Sequence, residues 1–539
     1  MAVNVKKVKY WCAFTSTCLL GWNALSGHAA TANFDPATGV ANFPVVEVLN
    51  GASSEFFSAS LGLVNGNELQ LISASPIPPA KGQQRNVFDS TTSAVHIPAV
   101  ALGADEFYVK LKLIPGSDPL RFTVDQIVNN RFEGCPDFSI PGLTEGSCVL
   151  SGEIKRDVTL TKNTQWVLNG EVFIGGDNAE NVTLTINPGT HIFGQQGNDF
   201  ILIRRGSKIM SEGTPDNPVV MSGALQQGPG EWGGLELHGN APVNGCNADV
   251  VPCQLPNVAV QTEFFGGDNP NDNSGVIKYT QILFTGFAVR PDEELNCLTF
   301  NGVGAGTVVD FVHCHSGADD GVEMFGGTVQ MKHIVLTDID DDNLDWQFGW
   351  QGAAQYVLVK QAESFGDNGI EGDNQRVTGA LPRSRPTVAN VTVIGRPNTE
   401  TGQAALLRVG TGGHIWNSVF TGSPTCLTID GEPTFLNAGV PGNLTGELTI
   451  NNSFVNCPNN FKDGNGATFS VAEWFLSQPG NREAELLLNR FLPAAGSPLK
   501  QAGTVQVNNP FFDSVDYAGA FRDEDDDWTQ EWTYQGAGL

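Results

Sequence analysis

The sequence predicts an all-β protein built mainly as a β-solenoid, a stack of short coils whose strands run parallel. Three observations predict it. From about residue 150, apolar runs of strand length such as "VTLTI", "VIKYTQILFTG", "VQMKHIVLTD" and "AAQYVLVKQ" recur roughly every 20 to 30 residues, with Gly, Asn and Asp between them. Few segments show helical periodicity, and 63 glycines and 32 phenylalanines suit coils that bury their inner faces on one another. An acid-bearing motif also repeats at coil-like spacing. Asp319-Asp320-Gly321-Val322-Glu323 is followed 22 positions on by Asp341-Asp342-Asn343-Leu344-Asp345, and 26 beyond that by Asp367-Asn368-Gly369-Ile370-Glu371.

Residues 1–29 read as a secretory signal peptide. Lys6, Lys7 and Lys9 precede an apolar run from Tyr10 to about Leu25 that is too short to span a bilayer, and Gly27-His28-Ala29 offers small residues where a signal peptidase reads. Thr15-Ser16-Thr17 before Cys18 lacks the leucine and small residues of a lipobox, which argues against lipidation. No later stretch approaches about 18 unbroken apolar residues, so no membrane insertion is expected. The leader carries three lysines and no acids, so its removal moves the formal charge from -29 to -32 (-29 - 3). That surface argues against nucleic acid and for divalent cations or neutral or cationic partners; solubility in a salty medium is the plainer reading of the same charge.

Residues 30–127 read as a duplicated antiparallel β module. Phe34, Asp35, Thr38, Pro44 and Val46 match Phe88, Asp89, Thr92, Pro98 and Val100 at a constant offset of 54, within alternating apolar and polar runs. Beyond the leader lie eight cysteines in four neighbouring pairs: Cys135 with Cys148, Cys246 with Cys253, Cys297 with Cys314, and Cys426 with Cys457. An even number in an exported chain reads as disulfides. Sequence alone does not fix their connectivity, and the expectation is that each near pair bonds. There is no Cys/His set at zinc spacing.

Residues 128–440 carry the coils. Val322, Leu344 and Ile370 would point inward and Glu323, Asp345 and Glu371 outward, as would Leu235 and Glu236 upstream. Downstream, "AALLRVG" sets either Leu407 or Arg408 at the acidic position, depending on a one-residue register. Three stretches, "LTINPGTHIFG" (184–194), "RGSKIMSEGTPDNPVVM" (205–221) and "EWGGLELHGNAPVN" (231–244), together with "FFDSVDYAGAFRDEDDDWTQEWT" (511–533), resemble a group of secreted bacterial right-handed parallel β-helix proteins of the pectin-lyase-like superfamily. The resemblance covers about 150–535 and leaves the N-terminal module outside it. It implies a right-handed helix and an exported location, and no reaction. Residues 441–539, with a short helix at 470–478 and an acidic loop at 522–528, are expected to cap the open end of the solenoid.

Equivalent residues on successive coils lie about 4.8 Å apart. Two carboxylates at about 5 Å repel by roughly 0.8 kcal/mol in water and roughly 3 kcal/mol at an effective dielectric near 20. A column of three therefore calls for protons or a cation, and calcium tolerates irregular oxygen sites. The candidate ligands are Asp319, Asp320, Glu323, Asp338, Asp340, Asp341, Asp342, Asp345, Asp367, Glu371 and Asp373, with Asp338-x-Asp340-x-Asp342 forming a dense acidic turn without the distal glutamate of an EF-hand. The competing reading is turn chemistry, since Asp and Asn side chains bond nearby backbone N–H groups. It covers the paired acids that open each motif, and turn geometry does not require Glu323, Asp345 or Glu371.

Enzymes of the resembled superfamily commonly use acids with calcium to neutralise a uronate and an arginine or lysine as base. Arg376, Arg383, Arg385 and Arg408 are the available arginines near the third acidic motif. No lyase motif aligns, and the column holds too many carboxylate pairs to single out a hydrolase dyad. Trp346 and Trp350 border the acidic turn as candidate sugar platforms. The function expected is a calcium-binding protein acting at or outside the cell surface or in the periplasm, in adhesion or in matrix or polysaccharide binding. The alternative is a calcium-dependent polysaccharide lyase or glycoside hydrolase.

Overall fold

In the computed structural model, the described residues are 31–539 apart from 103–104, 196, 248–249, 258–259, 291–292, 377–378, 397–400 and 503–508. The expected signal peptide lies outside them. The chain is mostly strand, and its main body is a parallel β-helix. One flank stacks the short strands Phe200–Ile203, Gly234–His238, Leu298–Asn301, Val322–Phe325, Leu344–Gln347, Ile370–Gly372, Gln403–Leu407 and Thr425–Ile429, all parallel. Val322 pairs with Leu344 and Leu344 with Ile370, and all three are fully buried in one interior column.

The opposite side is formed by longer strands, among them Gly275–Leu283, Val308–His315, Gln330–Thr337, Ala353–Lys360 and Thr387–Ile394. Each bends at one residue with positive φ: Tyr279, Phe311, His333, Tyr356 and Asn390. A left-handed conformation is costly for residues of this size. Ring stacking offsets it here, with centroids 4.4 Å apart for Tyr279 and Phe311, 4.2 Å for Phe311 and His333, and 4.9 Å for His333 and Tyr356.

Eight strands between Asn33 and Asn129 form a separate sheet, closed by the parallel pairing of Val46–Leu49 with Asn86–Asp89, and with its own apolar core. Buried ion pairs fasten this sheet to the helix. Lys278, 1 % exposed, lies 2.8 Å from Asp89 and 3.6 Å from Asp310, and Lys110 pairs with Glu212. Arg85 joins Glu47 at 2.5 Å and Glu531 of the C-terminal segment at 2.8 Å.

The parallel pairing runs past residue 440 to Arg482–Glu483. Helix Val471–Leu476, capped by Ser470, adds Val471, Trp474 and Phe475 to the interior core. The segment beyond it departs from the expected cap: it runs back along the outside of the coils. Its Phe521, Trp528 and Trp532 pack on the stacked corner rings, and the Trp532 carbonyl accepts from the Gln281 side chain at 2.6 Å. Apolar area on that outer corner, rather than an open coil edge, draws these tryptophans in.

All four near-neighbour cysteine pairs form disulfides, with Cα atoms 5.5–6.1 Å apart. Among the described residues no helix is long and apolar enough to cross a membrane.

Candidate functional site

The acid repeat folds into two adjacent columns. In the strand column, Glu236 pairs with Thr299, Thr299 with Glu323, Glu323 with Asp345, and Asp345 with Glu371. The position after Glu371 belongs to Leu406, so neither Leu407 nor Arg408 continues the column in register. Arg408 nevertheless reaches back from two residues further on. It pairs with Glu371 and lies 3.0 Å from Asp373, so the row does end in a cation.

These side chains point away from the coil interior, yet Glu323, Asp345 and Glu371 are only 5 %, 6 % and 7 % exposed. Neighbouring side chains, from the adjacent coils and from the same turn, cover them. The Asn296 amide donates to Glu323 Oε2 at 2.7 Å, the Gln347 amide to Glu323 Oε1 at 2.7 Å, and the Asn368 amide to Glu371 Oε1 at 3.2 Å. Asp345 Oδ1 is buried with no donor facing it.

In the turn column, each side chain bonds the backbone of the coil above. The Asp320 N–H donates to Asn296 Oδ1 at 3.1 Å, the Asp342 N–H to Asp320 Oδ1 at 3.0 Å, and the Asn368 N–H to Asp342 Oδ1 at 2.7 Å. These bonds run between coils, across 22 to 26 residues, and not within one turn as the competing reading expected. Gly321 and Gly369 follow from the same tight stacking: a Cβ at Gly321 would lie 2.5 Å from the Asn343 carbonyl oxygen, and one at Gly369 2.8 Å from that of Ala404.

Three groups of carboxylates bring their oxygens within 4.8 Å of one another: Asp319, Asp320 and Asp341; Asp320, Glu323 and Asp345; and Asp341, Asp342 and Asp367. The middle group is buried throughout and contains Asp345, whose Oδ1 has no donor. Its donors are all hard oxygens, the set a calcium ion takes. Asp338 and Asp340 do not join it. Asp338 sits beside His315, 3.9 Å away, and Asp340 is exposed, so the D-x-D-x-D turn is not a ligand cage.

Burial raises the carboxyls of Asp320, Asp342 and Asp345 well above the usual carboxylate range, and Asp319, Glu371 and Glu323 respectively push them further. Burial takes Glu371 up to about 7 even with Arg408 pulling it down. Glu323 is raised by burial against the pull of the Gln347 and Asn296 amides that donate to it. The column is therefore strained as a row of bare anions and fits either protons or a cation.

The remaining candidates separate. Trp346 and Trp350 are 1 % and 0 % exposed and lie inside the coils with centroids 5.9 Å apart, their indole N–H groups bonded to Thr411 Oγ1 and the Val329 carbonyl. They cannot present a face to sugar; the inward side of the alternation claims Trp346 and the coil corner claims Trp350. Arg383 donates to the Gly410 carbonyl at 2.7 Å, Arg385 pairs with Glu447 at 3.3 Å, and Arg376 is exposed. Among these four arginines only Arg408 touches the column, and its two carboxylates raise its pKa.

Asn296 and Gln347 were not legible as site residues. Asn296 precedes Cys297-Leu298-Thr299, and only the register of Leu298 with Val322 reveals Asn-Cys-Leu-Thr as the coil beneath Asp-Gly-Val-Glu. Gln347 lies two residues beyond Asp345, on the same outward face.

A family model described as a pectate-lyase-like beta helix domain matches residues 152–485. No curated protein and no solved structure matches the chain. With the match covering most of the chain and the parallel coils it describes present over the same residues, the protein belongs to the pectate-lyase-like β-helix family.

Proposed function

We propose that this is an exported β-helix protein stabilised by calcium, which acts at or outside the cell surface as a binding protein in adhesion or in matrix or glycan contact. One observation carries the calcium reading: Asp345, grouped with Glu323 and Asp320, keeps a buried oxygen that no donor meets. A buried carboxylate oxygen without a donor costs free energy that a bound cation removes. Asp320, Glu323 and Asp345 would hold the ion, and its charge would relieve their mutual repulsion.

Two features favour binding over a lyase reaction. The acids are too covered for a polysaccharide chain to reach them. A base must also shed its proton, and Arg408, held between Glu371 and Asp373, is disposed to keep it. Exported disulfide-bonded protein should retain calcium through gel filtration, read by elemental analysis. Incubated with acidic polysaccharides and calcium, it should generate no absorbance of unsaturated uronate. Metal-free protein after calcium loading would sink the calcium reading, and an absorbance rise lost in Arg408→Ala would establish the lyase.

A further inference from the structure

On the longer-strand side of the same coils that carry the acidic column, the helix and its two appended segments line an open cavity of about 930 Å³. Its walls come from the hairpin turn at Asn50–Ser53, from the strands carrying Asp310, Lys332 and Tyr356, and from the C-terminal segment between Phe511 and Trp528. The volume is at the upper end of the roughly 300–1,000 Å³ usual for ligand sites.

We propose that this cavity binds a neutral oligosaccharide. Phe511 and Trp528 line it as half-buried rings, the kind of surface on which the C–H face of a sugar packs. Asp513, Asp516 and Asp526 add hydrogen-bond acceptors for sugar hydroxyls. Its two strong cations are already engaged: Lys332 lies 2.8 Å from Asp513, and Arg522 lies 2.7 Å from Asp523. The carboxylates outnumber them, so the site disfavours uronates and other acidic sugars. Unlike Trp346 and Trp350 these rings are part-exposed, Phe511 with Lys332 Nζ 5.1 Å from its centroid and Trp528 stacked on Phe521. The inference rests on the glycan-binding half of the functional reading and is independent of the calcium half.

The test is calorimetric titration of the full exported protein with cellotetraose, mannotetraose, chitotetraose and tetragalacturonate. The cavity variants are Phe511→Ala and Ala52→Trp, the second narrowing the mouth from the module side, where Ala52 is exposed. Melting temperature serves as the check on folding. At least one neutral tetrasaccharide should bind, and each variant should weaken it about tenfold or more. Chelator should leave that affinity unchanged. Binding that survives both cavity changes overturns the assignment while glycan binding itself stands. Preference for tetragalacturonate, or no binding by any of the four, overturns it as well.

Discussion

Glu323 and Asp345 stand directly opposite each other on adjacent coils, both more than nine-tenths buried, and Asp345 Oδ1 meets no donor. Directly opposed like charges destabilise a sheet. The chain accepts that arrangement at the same place where it stacks Asp320 and Asp342 as backbone caps, so the acidity of this face has two origins. The turn acids hold the coils together through hydrogen bonds. Among the strand acids Glu323 also links coils, accepting from Asn296 and Gln347, but its closeness to Asp345 calls for a counter-charge.

Arg408 supplies part of it. Arg408→Gln should cost about 1–2 kcal/mol in chemical denaturation with chelator present, an amount kept modest because the guanidinium is 40 % exposed. Calcium should reduce the loss. A variant as stable as the parent in chelator would mean that Glu371 and Asp373 are neutral without it.

The sign of the pH dependence follows from the raised carboxyls. A group whose folded pKa exceeds its unfolded value stabilises the fold fully below the unfolded value and loses that contribution as pH rises through the folded one. For Glu371 the window runs from 4.5 to about 7. Calcium-free protein should therefore lose melting temperature from about pH 4.5 to 7. Calcium should flatten the share of that decline that comes from Asp320, Glu323 and Asp345, since it binds their ionised forms. Melting curves across this range with and without calcium are the measurement, and rising stability with pH in chelator would contradict the reading.

The coil architecture was legible because an inward aliphatic followed by an outward acid recurs with little variation, and this alone set Val322, Leu344 and Ile370 in one column. The neighbouring cysteines were legible for the same reason of short reach. Burial of the acids was not: it depends on Asn296, Gln347 and Arg408, which come from other coils or break the motif. Trp346 was misread because proximity in sequence to an acidic turn says nothing about which side of a strand a ring occupies. The C-terminal segment was misread as an end cap because its partners, the stacked rings of Tyr279, Phe311 and His333, lie more than a hundred residues earlier.

Asp342→Asn separates the two roles of the acids. Asn keeps an oxygen to accept the Asn368 N–H and removes one buried charge. In chelator at neutral pH it should be neutral or stabilising by about 0.5–1 kcal/mol, whereas Asp342→Ala, which leaves that N–H unpaired, should cost about 1–3 kcal/mol. Equilibrium unfolding of the two variants decides it.

Lys278 tests the docking of the N-terminal sheet. Lys278→Ala strands Asp89 and Asp310 without their shared cation and should cost about 3–5 kcal/mol. Limited proteolysis should then release the segment before residue 130 sooner than in the parent. Unchanged proteolysis would show that the other ion pairs suffice to hold it.

The central claim is that a cation resolves the repulsion between Glu323 and Asp345. Its most direct test is the melting temperature of the disulfide-bonded protein at pH 7.5, in calcium and in a calcium-selective chelator, for the parent chain and for the Glu323→Gln, Asp345→Asn double variant. Calcium should raise the parent by at least about 3 °C and the double variant by little or nothing. An unchanged parent melting temperature, or an equal shift in both proteins, would contradict it.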